Sequence, residues 1–171
     1  YQSKKKGKRI SENKLFFIQP DIKMFQVYED KFDDAIKRQN LNPAFNIFKV
    51  YLLRLDQRVA YARSLLKQDF DFTAKESYHY DREDAQWAAN EADLNAIWRQ
   101  SVKNDVLRLK LAGRSMDEIR VTLDKRYSNL SERVHQLRAD DVFENFMNAY
   151  GTSIDPHTSY MSPRSADNFN M

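Results

Sequence analysis

From Phe45 to Leu66 the apolar residues Phe45, Phe48, Leu52, Leu55, Val59, Ala62 and Leu66 return at alternating steps of three and four. That rhythm holds for about six helical turns and is foreign to a strand, whose faces alternate every second residue. A helix this long with one apolar stripe has to be covered by neighbours. Two further stripes supply them: Leu94, Ile97, Trp98, Val102, Val106 and Leu109, then Ile119, Leu123, Tyr127, Leu130, Val134 and Leu137. Only 3 glycines and 4 prolines occur in 171 residues, which leaves little for the turns of a β fold. The expected fold is all-α, a bundle of five or six mostly antiparallel helices with an extended C-terminal exit segment.

The helices carry start and stop signals. Pro20 and Asp21 suit a first turn, and a helix from about Asp21 to Gln39 would bury Met24, Phe25, Tyr28, Phe32 and Ile36. Asn42 is the expected N-cap of the long helix, with Pro43 as its first helical residue. Asn90 caps the next, followed by the acids Glu91 and Asp93, and Gly113 ends it. Ser115-Met116-Asp117-Glu118 spells a capping box. In the last helix Asp140 is the expected cap, Phe143, Phe146, Met147 and Tyr150 face inward, and Gly151 closes the element. Between the second and third helices, Asp69 to Ala89 lacks periodicity and holds Phe70, Phe72, Tyr78, Tyr80 and Trp87. It reads as an ordered connection whose rings pack on the helices; a peptide-binding aromatic patch is the other reading.

Basic and acidic residues, 28 and 25, are interspersed for a net charge of +3, as on solvated helix faces. The exception is Lys4-Lys5-Lys6-Gly7-Lys8-Arg9, which reads as a loose terminus or, alternatively, as part of a basic helical module contacting nucleic acid or anionic lipid. The chain has no cysteine, so disulfide and thiol chemistry are excluded. No apolar run approaches the length of a membrane span. His79 and His135 lack ligand-like spacing to another histidine, so no metal site and no cofactor is expected.

Gly151-Thr152-Ser153-Ile154-Asp155-Pro156-His157-Thr158-Ser159-Tyr160-Met161-Ser162-Pro163 is the least generic stretch, and its glycine, two prolines and hydroxyls suggest a rigid exit from the bundle. Asp155, His157 and Ser159 invite comparison with a hydrolytic triad. Successive same-side positions of an extended chain lie about 6.6 Å apart, however, and triad members come from separated segments held by a scaffold. The junction residues Asp155, Pro156, His157, Tyr160 and Pro163 are therefore assigned structural roles. Asp155 would bond backbone donors ahead of it, His157 would orient the segment, and Tyr160 and Met161 would pack on a neighbouring surface.

The string from Ile154 to Arg164 resembles the segment that leaves the N-terminal helical domain of the tail-specific (carboxyl-terminal processing) proteases just before their PDZ domain. The resemblance extends upstream through Asp71-Phe72-Thr73, Tyr78-His79-Tyr80-Asp81-Arg82, Trp87, Asn90 to Trp98, Asp117-Glu118-Ile119-Arg120 and Arg126-Tyr127. It covers roughly Phe16 to Met171. It implies a basic, poorly matched segment over 1–14, the helical N-terminal domain over 15–151, and a linker over 152–171 toward a PDZ domain beyond this chain. The chain opens on Tyr1 and so reads as a piece of a longer product. The parent implied is an exported, periplasmic, ATP-independent serine endopeptidase that takes proteins by their C-terminal tails. Its partners would be its own PDZ and protease domains, tailed protein substrates and an envelope adaptor, with no nucleic acid. Its serine and lysine dyad lies in a later domain, so no catalytic residue is carried over and the chain alone should be inactive.

Overall fold

The computed structural model describes residues 14–28, 31, 34, 37, 38, 40–82, 84–154, 157–163 and 166. They form five α-helices: α1 (Gln19–Gln26), α2 (Asn42–Leu65), α3 (Glu91–Leu111), α4 (Met116–His135) and α5 (Ala139–Ile154). The three stripes read from the sequence meet in one core. Leu55, Leu94, Val102, Val106, Ile119 and Leu123 are its largest fully enclosed side chains. Phe16 and Ile18 join that core from the segment before α1.

Helix directions follow from who meets whom. Arg54 reaches Glu91 and Arg58 bonds Asn95, so α2 and α3 advance together and run parallel. Asp56 meets Ser131 and His135 while Arg63 meets Asp124, so α4 runs antiparallel to α2. Tyr127 on α4 bonds Asp105 on α3, which makes those two an antiparallel hairpin. Parallel neighbours need a crossover to carry the chain back, and this accounts for the long aromatic connection.

That connection is strapped along α3. Glu76 takes Arg99 and Lys103, and the Asn104 amide donates to the Tyr80 hydroxyl. Lys103 and Lys110 sit over the Phe72 ring, at 5.8 and 4.9 Å from its centroid. At its far end the Ala88 carbonyl accepts from Gln19 N, forming a single parallel bridge between Ile18 and Ala88. Of the five rings, Tyr80 is the one left largely exposed, at 54%.

The caps of α3 and α4 match the sequence reading. The Asn90 side chain accepts from Asp93 N, and Ser115 and Glu118 satisfy each other's backbone donors. Gly113 takes φ +81°, with Gly113 N on Lys110 O and Arg114 N on Leu109 O, the paired bonds of a Schellman ending.

Other ends differ from expectation. α1 stops at Gln26, and Met24 is 45% exposed rather than buried, because α1 is pinned by Asp21 and turns its Met24 side outward. Phe32 and Ile36 lie outside the described residues. α2 starts one residue early, with Leu41 as its cap and Pro43 in second place; Asn42 N instead donates to the Asn40 side chain. At α5 it is Asp141, not Asp140, that reaches back to accept from Arg138 N, since the third helical position faces the cap. Leu137 lies in the turn after α4 and is 36% exposed; among the described side chains of α5, Val142 is the buried apolar one. The Tyr150 side chain lies outside the described part.

Two tyrosines are drawn into this interior. Burial pushes the Tyr51 phenol up to about 12, and its hydroxyl has no hydrogen-bond partner. Tyr127 is raised further, first by burial and then by the Asp105 carboxylate it bonds. A phenol raised in the fold is neutral there. Its stabilising contribution is complete below the ordinary value of 10.0 and is lost as pH climbs toward and through the raised one. At pH 11 an absorbance titration should find two tyrosines of the folded chain un-ionised that the unfolded chain ionises. Tyr51→Phe should remove one of them and leave stability equal or higher by about 1 kcal/mol, because it deletes an unpaired buried hydroxyl. Ionisation of all tyrosines below pH 11 without unfolding would contradict this packing.

Candidate functional site

The C-terminal junction is the most built feature outside the core. α5 does not end at Gly151 but continues through Ile154, and Gly151 serves another purpose. A Cβ placed there would stand 3.2 Å from the Thr158 methyl, so the missing side chain is what lets the returning chain pass this close. Residues 158–162 then run without regular structure back along α5.

Two α5 side chains four positions apart hold the returning segment. Asn148 makes a double contact with Tyr160: its Nδ2 donates to the Tyr160 carbonyl at 2.9 Å, and its Oδ1 accepts from Tyr160 N at 2.7 Å. One helical turn earlier, Glu144 Oε2 accepts from Ser162 Oγ at 2.6 Å and from Ser162 N at 3.3 Å. Ser162 is only 4% exposed. The Tyr160 ring meets Phe143 edge-on, centroids 5.4 Å apart. Residues four apart share a helix face, so Glu144 and Asn148 form a two-point clamp on an extended strap.

The residues singled out from sequence divide accordingly. Tyr160 is held by Asn148 and Phe143, whereas Met161 is 48% exposed because alternate residues of the strap point away from α5. Pro163 is exposed, and just beyond it Ala166 N donates to Ser162 O. His157 lies in the exposed turn after α5, and Ser159 is exposed as well. Asp155 and Pro156 lie outside the described residues, as does the basic run Lys4 to Arg9. The clamp residues Glu144 and Asn148 went unnoticed in the sequence, although their spacing of four ahead of a Gly, a Tyr and a Ser was there to be read.

Elsewhere several charged groups pair between segments, among them Arg63 with Asp124 and Arg120 with Asp69. His135 and Ser131 both contact Asp56, at 2.8 and 3.1 Å, but the serine does not bond the histidine, so no relay can run through them. Among the described residues no three histidine, aspartate or glutamate side chains cluster as metal ligands, and no helix is long and apolar enough to cross a membrane.

The class so defined is an all-α domain with a tethered C-terminal exit. The family described as the tail specific protease N-terminal domain matches residues 8–164, and the chain belongs to that family. The tail-specific protease of Haemophilus influenzae is 40% identical over 164 residues, covering 95% of this chain and 24% of that protein. The chain thus spans about a quarter of the length of this curated relative.

Proposed function

We propose that the chain is the N-terminal scaffold of a periplasmic, ATP-independent serine endopeptidase that captures proteins by their C-terminal tails. The observation that carries this is the family match over 8–164, joined to a 40% identical relative named as a tail-specific protease and about four times as long. On this reading 15–151 is the scaffold and 152–171 leads to a PDZ domain, with the serine and lysine dyad beyond it. An unprotonated lysine would there activate the serine for attack on a peptide carbonyl. The helical domain would hold those modules, tailed substrates and an envelope adaptor in register.

The test is a comparison of two proteins. The full-length gene product should degrade a protein with an exposed C-terminal tail and lose that activity when the downstream serine or lysine is replaced, while the 171-residue chain should hydrolyse nothing. Hydrolysis by the 171-residue chain that disappears with Ser159→Ala would overturn the reading. So would a full-length product without a PDZ domain or the dyad.

A further inference from the structure

Three things converge where the chain leaves the bundle: a helix face that offers paired acceptors and a donor, a strap whose backbone uses them, and a glycine that clears the path. Asn148 satisfies both the N–H and the C=O of Tyr160, as a neighbouring strand would, and this gives the extended segment a fixed register on α5. Glu144 receives both donors of a buried serine one turn away. Two anchors about 6 Å apart along the helix define a direction, where one anchor would define only a pivot. Thr158, lying over Gly151, sets the height at which the strap crosses. Phe143 then meets the Tyr160 ring edge-on, adding a side-chain contact beside the two backbone bonds.

We propose that Glu144 and Asn148 are positioning residues that fix the angle at which the following domain leaves the bundle. This rests on the scaffold reading for the identity of that domain but not for the clamp itself. A rigid exit converts the helical domain from a tethered neighbour into a reference frame. With the clamp open, the same covalent connection would be a flexible linker sampling many orientations.

The experiment has two arms. In the 171-residue chain, amide hydrogen exchange is followed at Tyr160 and Ser162 in wild type, Asn148→Leu, Glu144→Leu and Glu144→Gln. Loss of an anchor should speed exchange of its partner amide roughly tenfold, with core amides of α2, α3 and α4 unchanged. Glu144→Gln keeps a carbonyl acceptor and should restore slow exchange at Ser162, which a merely packing role would not produce. In the full-length protein, spin labels at position 53 on the exposed side of α2 and in the domain beyond residue 171 should give a narrow distance distribution in wild type and Glu144→Gln. In Asn148→Leu/Glu144→Leu that distribution should broaden. Unchanged exchange in the leucine variants overturns the clamp, and faster exchange with an unbroadened distance overturns its orienting role. A full-length protein that shows the broadening but has no peptidase activity would sink the protease reading and leave the clamp standing.

Discussion

Trp98→Ala should cost the folded chain about 4 kcal/mol, near the upper end for a buried aromatic cut back to a methyl. Trp98 is where three separate segments meet. Its ring is edge-on to Phe16 at 5.8 Å and to Tyr127 at 6.3 Å, and its indole N–H donates to the Leu15 carbonyl at 2.6 Å. The substitution removes the packing between α3 and α4 and at the same time the tie that holds the entry segment down. Trp98→Phe separates the contributions: it keeps most of the apolar volume but orphans the carbonyl, and should cost roughly 1–2 kcal/mol. Urea unfolding of the variants, with Trp87 as the remaining fluorophore, measures both. A cost below about 1 kcal/mol for the alanine variant would mean that Trp98 is not a keystone of this core.

The second large effect concerns charge. Asp21 is 5% exposed, and its carboxylate is gripped by the Arg54 fork at 2.9 and 3.0 Å while accepting from Ile18 N at 3.1 Å. Arg54 also reaches Glu91, at the start of α3, so one guanidinium joins α1, α2 and α3. The hydrogen bonds to Asp21 foremost hold the Arg54 guanidinium above its ordinary range. Arg54→Met should destabilise by about 3 kcal/mol, mostly because it strands a buried carboxylate. If that is the cause, adding Asp21→Asn should return a good part of the loss, since the amide oxygen still serves Ile18 N and no charge is left unpaired. Strictly additive costs in the double variant would show that the pair is not coupled.

Much of this architecture was legible in advance where it depends on neighbours within one helix. The stripes of α2, α3 and α4, the Asn90 cap, the Ser115 box and the Gly113 stop all obey spacing rules that act over three or four residues. What escaped depends on contacts between distant segments. Asp21 reads as a first-turn acid, and nothing near it announces Arg54, 33 residues later. Gly151 has the look of a helix terminator, yet its role is set by Thr158 folding back across it. The shared direction of α2 and α3 is likewise invisible to periodicity, which is the same for a helix running either way. At the candidate site, Tyr160 stood out by type, whereas Glu144 and Asn148 looked like ordinary surface polar residues of an amphipathic helix. Their meaning lies in the strap they hold.

The crossover between α2 and α3 also sets a timetable. Leu15 and Ile18 find their partners at Trp98 and Ala88, 83 and 70 residues later in the chain. During synthesis the entry segment must therefore wait, its phenylalanines uncovered, until α3 has emerged. The α3–α4 hairpin, closed by a turn of four residues at Ala112 to Ser115, has no such delay. The segment Leu15 to Ile18, made before the helices that cover it, is thus among the last to settle.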